Sequence, residues 1–389
     1  MDIDDGGAAI RDLVAKFVRR EIMPLENEYL QRAARHITPA LAPEHTERLR
    51  RISKDLGLWG LDAPEAMGGM DLPNTVMAQV AEEMAKTPIP FQLPPDSPNL
   101  RMLQAIGTPE QKQKYLQPYI EGRMTSAIAI SEPEAGGDPA GMRTKAEQTA
   151  EGWVLNGRKI WISAAKTADF AIVMARVGDG ERRAGITSFI VERGTPGYII
   201  EREIPMVGGG FTYEIVFDNC HLPHGALLGE VGQGYEPMQL RLRTRRLEMG
   251  STAVGITARA VEVLAEHANN RSTFGVRLAD RQAIQWWVAD TTIKLHAARL
   301  MIQDAAAKVD RGENVSNEIS MIKVFATEMA YAATDHAMQT LGALGMTQET
   351  VLYPMWHRAR LMRMYEGPSE VHRQTIARRV LSASGRTAT

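Results

Sequence analysis

The chain of 389 residues lacks several features that would narrow its class at once. Cys220 is the only cysteine, so an intrachain disulfide is impossible and a cysteine-rich metal site is excluded. No apolar run approaches the roughly 20 residues that span a bilayer. The acidic start at residues 1–5 does not resemble a signal peptide. We therefore expect a cytoplasmic protein without a membrane span.

An excess of charge of one sign is also absent. The formal net charge is −2, which gives no support to nucleic-acid binding, although four arginines cluster between positions 241 and 246. The glycine-rich segment 229–234 follows no βαβ unit and lacks the GxGxxG spacing, which indicates a loop between domains. His221 and His224 have a proline between them, which prevents a helical ligand pair, so we predict no metal site.

The spacing of apolar residues changes twice along the chain and predicts three domains. Residues 1–124 show helical spacing, which predicts an N-terminal helical domain. Residues 125–235 carry shorter patterns that predict a β-barrel-like or sandwich domain, with a hairpin turn at Asn156-Gly157. Residues 236–389 return to the i, i+3, i+4 rule and predict a four-helix bundle. The fold class is therefore mainly α with a central β domain.

One carboxylate near the C-terminus has the setting of a catalytic base. In Met364-Tyr365-Glu366-Gly367-Pro368, glycine relaxes the backbone and proline favours the first turn of a helix. We predict a helix over 368–381, with Glu366 projecting from the bend before it. The alternative is an acid that leads a helix because the macrodipole favours it there. The pentapeptide alone leaves both interpretations open.

Four separated motifs, taken together with Glu366, resemble the acyl-CoA dehydrogenase family of flavoproteins. Segment 129–138 is similar to the family's first signature, and Trp161-Ile162-Ser163 follows at the family's distance. Segment 271–275 resembles its Arg-x-x-Phe-Gly motif, and segment 339–345 resembles its second signature. The family's catalytic glutamate then falls on Glu366. The resemblance covers essentially the whole chain.

The resemblance implies FAD as the cofactor. Ile130 and Ser131 would line the isoalloxazine edge, Ser163 would bond near its reactive nitrogen, and Trp161 would pack beside it. Short hydroxyl side chains beside a flat aromatic suit a flavin. Taken singly, these residues could equally be strand-end polar residues and a buried aromatic. The other implied cofactor-binding residues are Gly136, Gly137, Arg271, Phe274, Gln339, Gly342, Pro368 and Glu370.

The same resemblance implies a second subunit and a partner protein. In the family, the residues that match Arg271, Phe274, Gln339 and Gly342 reach the ADP half of the cofactor across a dimer contact. We therefore expect a homodimer or homotetramer with a composite FAD site. Structural alternatives for two of these residues are a solvated helix end for Arg271 and a surface polar residue for Gln339. The implied electron acceptor is an electron-transfer flavoprotein or a similar protein.

The implied reaction is α,β-dehydrogenation of an acyl-CoA to a trans-2-enoyl-CoA, with Glu366 taking the α-proton. Arg246, Tyr365 and Gly367 would contact the substrate. Arg246 could equally be a structural ion-pair partner. Glu248 is a weaker second candidate for the base. Two other functions stay open, namely an acyl-CoA oxidase on the same fold and a flavin-binding partner without turnover.

Departures from the family pattern occur at Gly137, Ala343 and Pro368. Segments 95–99, 318–323 and 368–372 resemble a subgroup that in animals is fused to a kinase-like domain. That resemblance favours a medium, long or branched acyl group, and no kinase-like segment is present in this chain. The lack of an arginine between positions 82 and 96 weakens the case for a dicarboxylic substrate.

Overall fold

The computed structural model describes residues 5–35, 41–178 and 183–384. Most of the acidic start, residues 1–4, on which the prediction of no signal peptide rests, lies outside this part of the chain. Of the described helices, none is long and apolar enough to cross a bilayer. The cytoplasmic location stays a prediction.

Short helices make up the first part of the chain, as the apolar spacing predicts. They are α1 (Asp5–Phe17), α2 (Glu26–Ala34), α3 (Pro43–Asp55), α4 (Asn74–Met84), α5 (Ser97–Ile106), α6 (Pro109–Gln111) and α7 (Gln117–Ile120). Pro43 and Pro109 lie in the first turns of α3 and α6, where a missing N–H leaves no helical hydrogen bond unmade. Val14 and Phe17 on the inner face of α1 are buried.

Eight strands of the middle region form one mostly antiparallel sheet. They are β1 (Ser126–Ala129), β2 (Lys145–Gln148), β3 (Gly152–Ile162), β4 (Phe170–Arg176), β5 (Ile186–Glu192), β6 (Tyr198–Pro205), β7 (Phe211–Pro223) and β8 (Leu227–Leu228). Their order is β6-β7-β3-β2-β4-β5-β8, and β1 pairs in parallel with β4. The alternation of Phe211, Tyr213, Ile215 and Phe217 predicts that all four face the core. The last three enter a buried core from β7, whereas Phe211, the first residue of that strand, is 48% exposed.

The hairpin turn predicted at Asn156-Gly157 is wrong. Both residues lie inside β3, which continues through them. The register between β3 and β7 shifts just before Gly157, whose φ is 150°. A Cβ at Gly157 would lie 2.6 Å from the Cα of Thr144. The dipeptide therefore forms an irregularity within a strand, where glycine allows close backbone approach, and not a turn.

The last part of the chain is helical. Its elements are α8 (Tyr235–Asn270), the hairpin of β9 (Ser272–Thr273) and β10 (Val276–Arg277), α9 (Gln282–Asp310), α10 (Ser316–Leu341), α11 (Leu352–Met362) and α12 (Ser369–Ser384). Val254 of α8, Ile302 of α9 and Ile322 of α10 share a buried cluster, and α11 and α12 pack against α10. The predicted fold class, mainly α with a central β domain and a C-terminal helical bundle, is confirmed.

Contacts divide the chain into two compact units. The helical unit comprises Met1–Asp62, Asp71–Leu93 and Arg245–Thr389, and the sheet unit comprises Ala63–Met70 and Pro94–Thr244. Helices α1 to α4 therefore cluster with the C-terminal helices, whereas α5 to α7 cluster with the strands. Each unit has its own buried apolar core. The three domain boundaries stay a prediction.

Candidate active site

Glu366 occupies a bend between α11 and α12. The Tyr365 N–H donates to the Leu361 carbonyl at 3.2 Å, at the end of α11. Glu366 and Gly367 then have φ values of 57° and 92°, both in the left-handed region, and α12 begins at Ser369. The helix predicted to follow Glu366 is therefore confirmed. The side chain of Glu366 is half-buried at this bend.

Two side chains hold the backbone carbonyl of Glu366. Arg246 Nε donates to it from α8 at 2.8 Å, and His372 Nε2 contacts it from α12 at 3.2 Å. The structure thus brings Arg246 beside Glu366. The contact of Arg246 is with the backbone, and its role toward a substrate stays a prediction. Sequence reasoning missed His372.

Burial and positive charge surround this bend. Burial, followed by the charge of Arg246, lowers the pKa of the His372 imidazole to about 4. Lys323 is fully buried on α10, and its Nζ donates to the Arg363 carbonyl at 3.2 Å. Burial, followed by Arg246, lowers the pKa of the Lys323 ammonium to about 8. At pH 7 the imidazole is therefore neutral, and Lys323 is mostly charged.

Tyr365 has a mixed environment beside Glu366. Its ring is 42% exposed, yet desolvation by the surrounding protein raises the pKa of its hydroxyl, and the charges of Arg358 and Arg245 oppose that rise. Arg245 forms an ion pair with Glu248 at 2.8 Å. Glu248, the second candidate for the base, is therefore engaged by a cation. Two arginines act on the tyrosine that precedes Glu366.

In the sheet unit, the segment after β1 is tied to the end of β3. The Ile160 N–H donates to the Ser131 carbonyl at 2.9 Å, and Lys159 Nζ donates to the Ile130 carbonyl at 3.0 Å. These bonds place Ser131 beside the strand that contains Trp161. One neighbourhood thus holds four residues that the resemblance assigns to the flavin: Ile130, Ser131, Trp161 and Ser163.

Trp161 departs from strand geometry near the end of β3. Its φ is 62°, its side chain is 55% exposed, and Ser163 after it is also exposed. A non-glycine residue in the left-handed region costs roughly 1–3 kcal/mol, and such residues cluster at functional sites. The indole therefore presents a flat apolar surface outward, whereas the sequence alternative for it was a buried aromatic.

A buried ion pair, which sequence reasoning missed, fixes this segment. Lys159 is fully buried, with its Nζ 2.8 Å from Glu132 Oε1. The same carboxylate accepts the backbone N–H groups of Arg143 and Thr144. Burial lowers the pKa of Lys159 to about 8. Burial pushes the pKa of Glu132 upward, but Lys159 and the hydrogen bonds outweigh it and hold that pKa below its ordinary value.

Gly136 and Gly137 follow a tight turn in the same segment. Glu132 and Ala135 exchange backbone hydrogen bonds of 3.0 and 3.1 Å across it. Both glycines are exposed, and a Cβ at Gly136 would meet nothing within 4 Å. The surrounding protein therefore does not require glycine at position 136. Contact of both residues with a ligand stays a prediction.

The remaining cofactor candidates lie far from Glu366 along the helices. Arg271 directly follows α8, 25 residues after Arg246, and Gln339 lies on α10, 16 residues after Lys323. At about 1.5 Å per helical residue, these intervals correspond to roughly 38 Å and 24 Å. The structure therefore does not bring Arg271 or Gln339 to the Glu366 bend within one chain.

These distant candidates share their own neighbourhood. The ends of α8 and α10 meet in one apolar cluster with the segment after the β9–β10 hairpin. Phe274 lies at the turn of that hairpin with a φ of 51°, and its side chain is 98% exposed. Gly342 ends α10, and its N–H donates to the Gln339 carbonyl. By contrast, Pro368 and Glu370 adjoin Glu366 at the start of α12.

Metal chemistry finds no support in the part of the chain that the structure describes. Within residues 5–35, 41–178 and 183–384, no group of three or more His, Cys, Asp or Glu side chains could hold an ion. Cys220 is buried in β7, and burial raises the pKa of its thiol to about 11. The thiol is therefore protonated at neutral pH.

Models of three domains of one family match nearly the whole chain. The acyl-CoA dehydrogenase N-terminal domain matches residues 5–123, its middle domain matches residues 127–220, and its C-terminal domain matches residues 232–381. The chain belongs to the acyl-CoA dehydrogenase family. Members of this family are flavoproteins, and the protein is an acyl-CoA dehydrogenase-type oxidoreductase that acts on CH–CH bonds.

Individual relatives match over nearly their full length. The (R)-benzylsuccinyl-CoA dehydrogenase of Thauera aromatica is 38% identical over 97% of this chain and 96% of its own. The 3-(aryl)acrylate reductase of Clostridium sporogenes is 31% identical over 96% and 97%. The structure of butyryl-CoA dehydrogenase from Megasphaera elsdenii superposes with a TM-score of 0.86 at 27% identity, covering 98% and 99%. These relatives give no support to the predicted subgroup that is fused to a kinase-like domain.

The residues of the sheet unit fit the flavin that this family uses. Among the described residues, the side-chain hydroxyls of Ser131 and Ser163 have no hydrogen-bond partner. Both belong to the segment that carries the exposed indole of Trp161. Hydroxyl groups and an outward aromatic surface in one place are suited to orient and cover a flat, polar ring system.

Proposed function

We propose that this enzyme removes two hydrogens from a saturated acyl-CoA to give a trans-2-enoyl-CoA, with Glu366 as the base that takes the α-proton. The Glu366 bend is the observation that carries the proposal. A carboxylate-bearing residue holds a strained φ of 57°, and two side chains bind its carbonyl. Strain of this kind persists only where the surrounding structure maintains it, and it gathers at active sites.

The groups near Glu366 are suited to proton abstraction beside a thioester. The thioester carbonyl acidifies its α-C–H, and a hydrogen bond to that oxygen stabilises the developing enolate. In this proposal the Glu366 N–H supplies one such bond, while Arg246, Tyr365 and Gly367 seat the thioester. The Glu366 carboxylate accepts the α-proton. The β-hydrogen and its electron pair would leave as hydride, for which FAD, when bound, would supply the two-electron acceptor.

The cofactor would be held by two separate groups of residues. Ile130, Ser131, Trp161 and Ser163 would orient the ring system, with Gly136 and Gly137 near it and Pro368 and Glu370 beside the Glu366 bend. The ADP half would be bound by a second subunit through Arg271, Phe274, Gln339 and Gly342. Support comes from the intervals of roughly 24–38 Å along α10 and α8 and from the 98% exposure of Phe274.

Mixing two inactive variants tests the composite site. Arg271→Ala removes a side chain that a subunit would provide to the FAD site of its partner subunit. Glu366→Gln removes only the base of the subunit's own site. We expect each homo-oligomer to be inactive and co-expression of the two variants to restore activity, because a mixed dimer contains one complete site. Co-expression without any recovery, in mixed oligomers verified by mass, would exclude the composite site.

Two relatives suggest the substrate class. The names of the Thauera and Clostridium enzymes both specify an aryl-bearing substrate, and the first also specifies a succinyl group. We therefore propose an aryl-substituted acyl-CoA in place of a plain long-chain one. Residues 82–96 contain no arginine, but the charges of Arg358 and of Arg245, which also pairs with Glu248, act on Tyr365 beside Glu366. They would favour a substrate that carries a carboxylate.

Anaerobic titration of the purified enzyme tests reaction, base and substrate together. The panel is butyryl-, palmitoyl-, 3-phenylpropionyl- and benzylsuccinyl-CoA. We expect bleaching of the oxidised flavin band in wild type, fastest with an aryl thioester, and a rate roughly 10²–10⁴-fold lower in Glu366→Gln. Glu266→Gln, an exposed position on α8, is the matched control. Glu248→Gln tests the second candidate for the base.

The other outcomes discriminate the alternatives. Rapid peroxide formation in air without an added acceptor would identify an oxidase, whereas turnover that requires an electron-transfer flavoprotein would support a dehydrogenase. Bleaching that is unchanged in Glu366→Gln would remove Glu366 from the mechanism. A bound flavin that no thioester in the panel reduces would favour a binding partner without turnover.

A further inference from the structure

The bend at Glu366 requires an external restraint. Glu366 and Gly367 are consecutive residues in the left-handed region, with φ values of 57° and 92°. Glycine tolerates this conformation, but a glutamate in it is disfavoured because its Cβ comes too close to the following carbonyl oxygen. The position of the carboxylate depends on this backbone conformation, because the side chain projects from it. The contacts that hold the peptide between Glu366 and Gly367 therefore also determine the position of the carboxylate.

The restraint acts on the carbonyl oxygen of Glu366. Arg246 Nε approaches it at 2.8 Å from α8, and His372 Nε2 approaches it at 3.2 Å from α12. A carbonyl oxygen has two lone pairs, so these contacts use its full accepting capacity. Lys323 Nζ donates to the Arg363 carbonyl, three residues earlier, at 3.2 Å. Three helices thus converge on one short segment through donors.

The protonation state of His372 follows from these contacts. Its side chain is 3% exposed. Burial first, then Arg246, lowers its pKa to about 4, with Lys323 acting in the same direction and the hydrogen bond to Glu366 acting against it. The ring is therefore neutral at pH 7 and carries one proton. A carbonyl can only accept, so that proton lies on Nε2.

The sequence also couples His372 to Gly367. A Cβ added at Gly367 would lie 2.9 Å from His372 Nε2 and 3.6 Å from an Arg246 guanidinium nitrogen. Glycine is thus required at 367 for two reasons, namely its φ and the space that the imidazole fills. A neutral ring suits this place because a further cation would be repelled by Arg246 and Lys323.

We propose that His372 is a positioning residue for the base: its Nε2–H holds the Glu366–Gly367 peptide so that the Glu366 carboxylate meets the α-carbon of the substrate. This inference rests on the proposed function, in which Glu366 is the base. His372 itself exchanges no proton with the substrate. A displacement of about 1 Å can cost roughly 10²-fold in rate, so loss of one hydrogen bond to this carbonyl has a measurable effect.

The test isolates proton abstraction from hydride transfer. 3,3-Dimethylbutyryl-CoA has α-hydrogens but no β-hydrogen, so the holoenzyme in D₂O can only exchange its α-protons. Glu366 takes a proton from the α-carbon, exchanges it with solvent and returns a deuteron, with no net oxidation. The rate of deuterium incorporation, followed by NMR, therefore reports the base alone. Turnover of the best substrate from the panel is measured in parallel.

Two variants of His372 separate hydrogen bonding from packing. His372→Leu removes the donor, and His372→Gln keeps an N–H at a similar reach. We expect exchange and kcat to fall roughly 10²-fold in the Leu variant, with little change in KM, and to recover within a few-fold of wild type in the Gln variant. If His372→Leu does not fold, His372→Met fills similar volume without an N–H and takes its place.

Several outcomes would overturn the inference. Exchange at the wild-type rate in a folded Leu or Met variant would show that the hydrogen bond is dispensable. An equal loss of exchange rate and kcat in the Gln and Leu variants, at unchanged unfolding temperature, would show that a property of His372 other than its N–H is responsible. A wild-type holoenzyme that neither exchanges the probe nor oxidises any thioester would instead refute the proposed function, and with it the role of His372.

Discussion

Two buried lysines, one in each compact unit, make a direct comparison. Lys159 in the sheet unit and Lys323 in the helical unit are both 0% exposed, and burial lowers the pKa of each to about 8. Each donates to a backbone carbonyl near a candidate site residue. Lys159 also has the Glu132 carboxylate at 2.8 Å. Among the described residues, no carboxylate lies within ion-pair distance of Lys323.

The comparison shows two ways of holding a strained residue. Trp161 and Glu366 both have positive φ, and a buried lysine fixes a backbone carbonyl near each of them. Near Trp161 the charge is neutralised locally, as an ion pair. Near Glu366 the lysine joins Arg246, and the balancing acids act from farther away. The sheet site is thus held by an ion pair. The helical site is held by two cations whose balancing carboxylates, on Glu328, Glu366 and Glu370, lie beyond ion-pair distance of Lys323.

The largest effect is expected where the pair is broken. Lys159→Met leaves the Glu132 carboxylate buried without its cation, which typically costs about 3–5 kcal/mol. We expect the urea midpoint to fall accordingly, because the two remaining backbone donors do not neutralise the charge. The double variant Lys159→Met/Glu132→Gln should regain part of the loss. A single variant as stable as wild type would show that the pair contributes nothing.

The cationic cluster predicts a loss of stability in acid. The folded-state pKa of His372, about 4, lies below the ordinary value of 6.5, chiefly because of burial and Arg246. Between these values the unfolded chain binds the proton and the folded chain does not, so stability falls as pH drops from 6.5 to 4. The contribution is at most roughly 3 kcal/mol.

His372→Gln provides the measurement for this window. The variant lacks the titrating ring, so its unfolding free energy should fall less than that of wild type between pH 7 and pH 4.5. Groups that face the ring, including Arg246, Lys323 and Glu366, are retained in both proteins and cancel in the difference. If the unfolding free energies of the two proteins change with pH in parallel, His372 is not the group whose protonation lowers stability in acid.

A smaller effect is expected from glycine replacement at the bend. Gly312→Ala is the matched control, because Gly312 has a φ of 74° and a Cβ there would meet nothing within 4 Å. The unfolding free energy of this variant should fall by about 1 kcal/mol from backbone strain alone. Gly367→Ala adds a contact of 2.9 Å with His372 Nε2. We expect Gly367→Ala to lower the unfolding free energy by about 2 kcal/mol in total. We expect kcat to fall only in Gly367→Ala.

The two glycine variants also separate strain from the carbonyl restraint. Equal stability losses, measured by urea unfolding, would show that the imidazole moves aside without cost. An equal effect on kcat would show that the bend is not specifically sensitive. Either result would remove the coupling between Gly367 and His372 from the account of this site.

Sequence reasoning succeeded where the signal is local. The helical and strand periodicities and the Glu-Gly-Pro bend at 366–368 depend on neighbours within one element. It failed at Asn156-Gly157, because a turn and an irregularity within a strand use the same residues. It also missed the contacts that hold the two sites, since Glu132 lies 27 residues from Lys159 and Arg246 lies 120 residues from Glu366. Spacing reports no contact between elements that only the fold brings together.

The smallest stability effect, and the sharpest contrast with Lys159, is expected from Lys323→Met. The variant loses one hydrogen bond to the Arg363 carbonyl, worth about 1 kcal/mol, but it no longer buries a charge without an adjacent partner. We therefore expect its stability at pH 7 to stay within about 1 kcal/mol of wild type. Its kcat should fall nonetheless, because the segment before Glu366 loses a restraint.

The pH dependence of the unfolding free energy of Lys323→Met, compared with that of wild type, distinguishes the two lysines. The folded-state pKa of Lys323, about 8, lies below the ordinary 10.5. From pH 8 to 10.5 the unfolded chain keeps the proton that the folded chain releases, so wild-type stability contains a contribution that rises with pH. The variant lacks this contribution, so the unfolding free energy of wild type should increase relative to that of the variant as pH rises. If Lys323→Met instead loses as much stability at pH 7 as Lys159→Met, the distant acids neutralise Lys323 as effectively as Glu132 neutralises Lys159, and the two lysines are held in the same way.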